Sequence, residues 1–413
     1  MKRIYGLLGR KLGHSYSPLI HKELGNPDYR LIELEPENLA DFLKNEDIGG
    51  LNVTIPYKLD VMPYCRLSPE AEKIGAVNTI VNRNGQLWGY NTDRDGFQYM
   101  VQKAGIDMKD KKVLVLGSGG ASRTAVHCSE SLGAREVVVI SRSHPENNYD
   151  NLAKHADGEV IINCTPVGMF PKNGESPVDL AVFPKCCGVV DVIYNPLRTK
   201  LIMQAEKLGI PHIGGLHMLT AQAKRAAELF FDKEIPDSEN DAITAKITQS
   251  CENIVLIGMP GGGKSTVGKL LGKLTGRPVY ETDDMIVETS GKTIPKIFAQ
   301  DGEEIFRQLE HQVICEAGKK SGSIIITGGG VVTRPENYEP LHQNGRIYEI
   351  TRDIEKLAMG GRPLSTGREA LYAMYEKRHP LYVKFRDCQA ENEHDAMETA
   401  QWIWRDFSEN SCN

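Results

Sequence analysis

Two glycine-rich segments carry the clearest chemistry in this sequence. Residues 258–265 read Gly-Met-Pro-Gly-Gly-Gly-Lys-Ser and fit the pattern G-x-x-x-x-G-K-S/T, whose backbone N–H groups hold the phosphates of a nucleoside triphosphate. Residues 117–122 read Gly-Ser-Gly-Gly-Ala-Ser, which is typical of the turn where the pyrophosphate of a dinucleotide approaches the backbone. The sequence therefore predicts two nucleotide sites with different chemistry.

Both segments need a strand before them and a helix after them. A buried-strand pattern at 112–116, a helical stretch at 121–132 and a second strand at 136–140 form a β-α-β unit around the first segment. A strand at 253–257 precedes the second, and an amphipathic helix that stops at Gly276 follows it. Strands and helices that alternate in this way predict an α/β fold.

Composition and charge indicate which classes of binding partner to expect. The net charge of -6 and the pI near 6.0 offer no basic surface to nucleic acid or an anionic membrane. No apolar run has membrane-spanning length, and no signal peptide is recognisable. The nine cysteines lack metal-ligand spacing, which indicates reduced thiols. We expect a soluble, cytoplasmic protein whose partners are small molecules, with neither nucleic acid nor membrane.

The end of the strand at 136–140 indicates the dinucleotide. NAD sites usually place a carboxylate there, but this chain has Ser141, Arg142 and Ser143. An arginine at this place pairs with the 2′-phosphate of NADP. The predicted NADP(H) contacts are Gly117, Ser118, Gly119, Gly120, Ala121, Ser122, Ser141 and Arg142.

An ordered series of motifs surrounds that unit. They lie at residues 14–18, 52–58, 75–79, 89–93, 163–169, 191–196 and 215–222. With them the chain resembles shikimate dehydrogenase over nearly all of residues 1–236. The resemblance implies that Lys58 supplies a proton to the reduced ketone beside Asp93. It further implies that Ser15 and Ser17 bind a carboxylate, that Thr54, Asn78 and Gln222 bind ring hydroxyls, and that Gly215 contacts the cofactor.

The second glycine segment binds ATP in this interpretation. Lys264 reaches the β- and γ-phosphates, and the Ser265 hydroxyl ligates Mg²⁺. The predicted ATP contacts are Gly261, Gly262, Gly263, Lys264, Ser265 and Thr266.

Further motifs follow at residues 281–284, at 302–307 with Glu310, and at 328–330. Over about residues 252–390 they make the chain similar to shikimate kinase. The resemblance implies that Asp283 binds the reacting hydroxyl, that Arg362 meets the transferring phosphoryl group, and that Glu281 supports Mg²⁺ where aspartate is usual. It assigns substrate binding to Arg307, Arg378, Gly329 and Gly330. Arg352 and Arg368 are interpreted as surface charges.

The expected fold class is α/β throughout. A substrate domain spans residues 1–102, with return helices at about 217–235, and a Rossmann NADP domain spans 103–216. Residues 232–241 are polar, contain proline and have little to bury, so residues 236–251 are interpreted as a flexible linker. A P-loop domain of the nucleoside-monophosphate-kinase kind spans 252–413.

These resemblances indicate consecutive reactions in the shikimate pathway. NADPH-dependent reduction of 3-dehydroshikimate gives shikimate, and ATP with Mg²⁺ then phosphorylates its 3-hydroxyl. One alternative is a quinate/shikimate dehydrogenase fused to a kinase for another small polyol acid. Others are a P-loop module that senses ligand without catalysis, and a regulator whose dehydrogenase fold only binds ligand.

Overall fold

The computed structural model describes residues 3–13, 15–357 and 368–410. The chain divides into two compact units. The first comprises residues 1–169, 175–195 and 201–247, and the second comprises residues 170–174, 196–200 and 248–413. Within the described residues, no helix is long and apolar enough to cross a membrane.

The first unit begins with a mixed six-stranded sheet. Its strand order is β2-β1-β3-β5-β6-β4, and β5 runs antiparallel to both of its neighbours. The strands are β1 (Ile4–Gly9), β2 (Arg30–Glu33), β3 (Ile48–Val53), β4 (Arg66–Leu67), β5 (Thr79–Arg83) and β6 (Gln86–Tyr90). The accompanying helices are α1 (Ser17–Glu23), α2 (Leu39–Asn45), α3 (Pro69–Ile74) and α4 (Asp93–Lys103).

A second, parallel sheet completes this unit with the order β11-β10-β9-β7-β8. Its strands are β7 (Lys112–Leu116), β8 (Glu136–Ile140), β9 (Val160–Asn163), β10 (Gly188–Asp191) and β11 (His212–Ile213). The helices are α5 (Gly120–Ser131), α6 (Lys200–Leu208) and α7 (Leu216–Phe231). Ala226 and Phe230 of α7 pack with Leu7 and Val81, so this helix returns to the first sheet.

The segment interpreted as a flexible linker forms helix α8 (Asp237–Cys251). The structure thus has a regular helix where the sequence indicated a flexible segment. Ile243 and Ile247 are buried, and the Thr244 and Thr220 hydroxyls lie 2.7 Å apart. These side chains recur at helical spacing and gain burial that an extended linker would forgo.

The second unit is built on a five-stranded parallel sheet with the order β13-β14-β12-β15-β16. Its strands are β12 (Asn253–Ile257), β13 (Val279–Glu281), β14 (Ile324–Ile326), β15 (Gly345–Thr351) and β16 (Cys388–Glu391). The helices are α9 (Lys264–Thr275), α10 (Thr282–Ser290), α11 (Ile294–Gln300), α12 (Gly302–Gly318), α13 (Tyr338–His342), α14 (Arg368–Phe385) and α15 (Ala396–Asn410). The α/β expectation is confirmed for both units.

Candidate active sites

An ion pair lines the cavity in the first unit. Lys58 Nζ donates to Asp93 Oδ2 at 2.5 Å, and the Asp93 side chain is only 6% exposed. Asp93 is the first residue of α4, where the helix macrodipole favours a negative charge. The pair therefore places an ammonium proton donor beside a fixed carboxylate.

The second oxygen of Asp93 is also held. Asn78 Nδ2 donates to Asp93 Oδ1 at 2.9 Å and lies 3.4 Å from Gln222 Oε1. Asn78 Oδ1 accepts a hydrogen bond from the backbone N–H of Thr92 at 2.7 Å. Because that acceptor is occupied by a backbone donor, the amide nitrogen of Asn78 faces the cavity and Asp93.

All seven side chains expected at this substrate site line one cavity of about 140 Å³. They are Ser15, Ser17, Thr54, Lys58, Asn78, Asp93 and Gln222. Sequence reasoning missed three polar lining residues, namely His21, Asn52 and Tyr194. Asn52 and Tyr194 lie inside the motifs at 52–58 and 191–196, and His21 lies three residues after the motif at 14–18. Proximity to these motifs was the signal that could have identified them.

The dinucleotide turn follows β7 as expected. Gly117 has φ +104°, which favours glycine, and a side chain there would press on the backbone of Cys164. A Cβ on Gly120 would lie 3.7 Å from Lys58 Cδ, so the turn adjoins the ion pair. Ser122 is buried in α5, while Ser118 is exposed in the turn and Ala121 is half-buried.

The remaining dinucleotide residues divide between two places. Arg142 is exposed just beyond β8, and the buried Ser141 hydroxyl lies 3.2 Å from that of Ser143. Gly215 precedes α7 and donates its N–H to the Ile193 carbonyl at 2.9 Å. A side chain at residue 215 would clash with the backbone of Val192, so close packing alone requires a glycine at this position.

The turn fits a dinucleotide pyrophosphate. Apart from its chain neighbours, no described residue has a heavy atom within 4 Å of a Cβ built on Gly119, which directly precedes α5. The first N–H groups of a helix have no intrahelical acceptor, so the start of α5 beside this open space suits an anion. NADP(H) would be held by the turn, with Arg142 available to its 2′-phosphate.

In the second unit, the triphosphate loop joins β12 to α9. A side chain on Gly258, whose φ is +137°, would clash with the Ile350 carbonyl, and Gly263 adopts φ +95°. Lys264 Nζ donates to the carbonyls of Gly258 and Met259 at 2.9 and 3.1 Å. The lysine thus lies folded over its own loop, where the phosphates of ATP would bind.

The residues expected at the metal meet at the same end of the sheet. Ser265 Oγ donates to Glu281 Oε2 at 2.8 Å, and Lys269 Nζ lies 2.6 Å from Glu281 Oε1. Mg²⁺ takes oxygen ligands and commonly needs only one or two protein oxygens beside phosphates and water. Ser265 and Glu281 fit that requirement, although Lys269 competes for the carboxylate.

A buried ion pair lines the cavity that contains the triphosphate loop. Arg307 donates to Glu310 Oε2 at 2.7 Å and to Glu303 Oε1 at 3.1 Å. Burial raises the pKa of Glu310, and the Arg307 charge opposes that shift. A carboxylate so close to the guanidinium fixes its plane, which is the geometry that a carboxylate ligand requires.

Further polar groups surround this pair. Arg378 and Tyr382 on α14 donate to the Gly329 carbonyl at 3.0 and 2.5 Å. Asp283, in the first turn of α10, lies close to Glu310 across Gly328. Carboxylates and arginines thus share a single chamber.

The cavity measures about 650 Å³. Ten of the expected residues line it, namely Gly261, Gly263, Lys264, Ser265, Thr266, Asp283, Arg307, Gly329, Gly330 and Arg378. Gly262 lies in the loop beside the lining residues, and its carbonyl accepts a hydrogen bond from Asn392. Arg362 lies outside the described residues.

Arg352 corrects one interpretation. The sequence treats it as an ordinary surface charge, yet it lines the cavity beyond the end of β15. Its Nε is buried and has no hydrogen-bond partner among the described residues. Arg352 is therefore a cation available to a ligand in this chamber.

Comparison with known proteins agrees with these two sites. Residues 7–80 match the family model of the shikimate dehydrogenase substrate binding domain, and residues 260–407 match that of shikimate kinase. The NADP(+) shikimate dehydrogenase of Clostridium beijerinckii is 37% identical over 245 residues, covering 55% of this chain and 91% of the relative.

Two solved structures resemble the same part of the chain. A chorismate mutase/shikimate 5-dehydrogenase fusion protein from Clostridium acetobutylicum is 40% identical with a TM-score of 0.57, covering 60% of this chain and 97% of that one. Shikimate 5-dehydrogenase from Thermus thermophilus, solved with NADP(H) and shikimate, is 29% identical with a TM-score of 0.54, covering 59% of this chain and 99% of that one.

Proposed function

This chain belongs to the shikimate dehydrogenase family and carries a shikimate kinase domain later in its sequence, and we propose that its two cavities catalyse two consecutive reactions, the product of the first being the substrate of the second. The first unit reduces 3-dehydroshikimate to shikimate with NADPH. The second transfers the γ-phosphoryl group of ATP to the 3-hydroxyl of shikimate. The free thiols of the described cysteines are consistent with a cytoplasmic location.

In the first reaction, NADPH supplies the hydride when bound. Ser15 and Ser17 bind the substrate carboxylate, while Thr54, Asn78 and Gln222 hold its hydroxyls. Lys58 gives a proton from Nζ to the ketone oxygen as that oxygen becomes an alkoxide. Asp93 accepts hydrogen bonds from Lys58 and Asn78 and so holds the donor against the reacting oxygen.

In the second reaction, Arg307 and Arg378 bind the carboxylate of shikimate, and Asp283 orients the attacking hydroxyl. Lys264 moves from its loop carbonyls to the β- and γ-phosphates. Ser265 and Glu281 would hold Mg²⁺, which neutralises phosphate charge when bound. Little covalent chemistry remains for the protein, because positioning and electrostatics dominate phosphoryl transfer.

One observation carries the proposal most directly. The product of the first reaction is an acid with vicinal hydroxyls, and the second cavity joins two arginines and an aspartate to a triphosphate loop. Arginine fits a carboxylate and aspartate fits a hydroxyl, so this chamber matches that product.

The test supplies 3-dehydroshikimate with NADPH, then adds ATP and Mg²⁺, and identifies products by mass. We expect shikimate first and shikimate 3-phosphate afterwards. Lys58→Met should give neither product from 3-dehydroshikimate but should still phosphorylate added shikimate, and Lys264→Met or Asp283→Asn should stop the second product alone. Quinate turnover with NAD in place of this reaction would favour the quinate alternative. Ligand binding without any product would favour a sensor.

A further inference from the structure

A chain of buried hydrogen bonds connects Asn52, which lines the substrate cavity, through Thr79 to the Lys58–Asp93 pair. Asn52 on β3 and Thr79 on β5 lie directly opposite each other in the antiparallel register. Asn52 Nδ2 donates to Thr79 Oγ1 at 3.2 Å. Thr79 is fully buried and does not line the cavity, so it has no direct contact with substrate.

The amide of Asn52 is oriented by two donors. Tyr29 Oη donates to Asn52 Oδ1 at 2.8 Å, and His21 Nε2 lies 3.0 Å from the same oxygen. Burial lowers the pKa of His21 to about 3, with the bond to Asn52 opposing the shift, so the ring is neutral near neutral pH. Because Oδ1 can only accept, Nε2 carries the ring hydrogen, and the Asn52 amide nitrogen must face Thr79.

The Thr79 hydroxyl links the Asn52 amide to the Asn78 amide. Since Thr79 Oγ1 accepts from Asn52, its own hydrogen is free to be donated to Asn78 Oδ1, 3.1 Å away. The neighbouring Thr92 Oγ1, at 3.0 Å, is the competing acceptor. A hydrogen bond into Asn78 Oδ1 keeps the Asn78 nitrogen turned toward Asp93 Oδ1.

We propose that Thr79, oriented by Asn52 with Tyr29 and His21 behind it, is a positioning residue for hydride transfer. Its hydroxyl is a second donor to Asn78 Oδ1 beside the Thr92 backbone N–H, and it thereby reinforces the amide orientation in which Asn78 donates to Asp93. Asp93 then holds Lys58 in line with the reacting oxygen. Buried hydrogen-bond networks rigidify the side chains that they connect. The inference rests on the proposed dehydrogenase function.

Two substitutions at one position separate positioning from bulk. Thr79→Val keeps the shape and removes the hydroxyl, while Thr79→Ser keeps the hydroxyl. We expect Thr79→Val to lower the dehydrogenase kcat by roughly tenfold, which corresponds to the loss of one hydrogen bond in the transition state. The KM for NADPH should stay unchanged, and Thr79→Ser should restore most of the rate.

Thr220→Val is the matched control. Its hydroxyl is also buried in the first unit and lies 2.7 Å from the Thr244 hydroxyl, without any link to Asn78. Loss of this hydroxyl should lower the melting temperature with little change in kcat. Kinase turnover by the same polypeptide normalises enzyme concentration. If Thr79→Val does not fold, Tyr29→Phe, which removes one donor to Asn52, should lower kcat severalfold.

The outcomes separate the two claims. A wild-type protein that does not reduce 3-dehydroshikimate would overturn the proposed function. An active wild type with a Thr79→Val rate within twofold would overturn only the positioning role. Equal rate losses in Thr79→Val and Thr79→Ser, or in Thr79→Val and Thr220→Val, would also overturn it, since general destabilisation would then explain them.

Discussion

The Arg307 guanidinium occupies the space that a side chain on Gly330 would need. An ideal Cβ on Gly330 would clash with both terminal nitrogens of Arg307. Gly330 has φ -98°, a conformation that alanine also adopts, so the glycine is required by this contact rather than by its backbone. The bare backbone at residue 330 therefore sets where the Arg307 fork lies.

Gly330→Ala should displace Arg307 and weaken binding of the substrate carboxylate. We expect the KM for shikimate to rise by roughly tenfold, as suits the loss of one charge-assisted contact. The KM for ATP should stay the same, because the triphosphate loop is not altered. Steady-state kinetics with each substrate varied in turn would check this. An unchanged shikimate KM would contradict the placement of the carboxylate at Arg307.

Lys58→Ala should lower dehydrogenase turnover by about a hundredfold or more, because general acid catalysis typically contributes this much. NADP binding and kinase turnover should remain normal. Lys22→Ala is the control, since Lys22 is an exposed lysine of the same unit. Near-normal turnover of Lys58→Ala, measured by NADPH absorbance, would remove Lys58 from the mechanism.

Arg142→Ala should erase the preference for NADP over NAD. Loss of the guanidinium opposite the 2′-phosphate should raise the KM for NADP by about one order of magnitude and leave that for NAD unchanged. Arg135 lies just before β8 whereas Arg142 lies just after it, so Arg135→Ala is a matched control. Equal efficiency of both cofactors in the wild type would contradict the assignment.

Arg352→Ala should weaken ATP binding. The side chain lines the chamber of the triphosphate loop, and its buried Nε is a donor that a phosphate oxygen would satisfy. We expect the ATP dissociation constant, from calorimetric titration, to rise by roughly tenfold. Arg405→Ala on α15, where the arginine is exposed, should bind ATP normally. Unchanged affinity in Arg352→Ala would return Arg352 to the surface-charge interpretation.

Mild acid should destabilise the first unit through His21. The pKa of this residue falls from 6.5 to about 3 on burial, so below pH 6.5 the unfolded chain binds a proton that the folded chain refuses. Stability therefore decreases as the pH falls through this window. Between pH 6.5 and 5.5 the wild type should lose about 1 kcal/mol more than His21→Gln. Denaturant unfolding at both pH values measures the difference, and equal losses would contradict the neutral, buried histidine.

The sequence alone determined the strand–glycine–helix units. The predicted strands at 112–116, 136–140 and 253–257 match β7, β8 and β12. These features are local, because a glycine turn and a period of apolar residues depend on neighbours in the chain. The seven side chains that the motifs predict at the first substrate site do line one cavity, whereas His21, Asn52 and Tyr194, which also line it, were not predicted.

Only the tertiary structure decided how those groups face one another. Thr79 ends the motif at 75–79 without an assigned role, and its link to Asn52 exists because β3 and β5 pair in one register. The sequence gives Arg352 no role beyond a surface charge, but its position after β15 places it in the lining of the cavity that contains the triphosphate loop. Helix α8 is stabilised because Ile243 and Ile247 are buried by packing. Burial and hydrogen-bond direction depend on residues far apart in the chain, which composition and spacing do not encode.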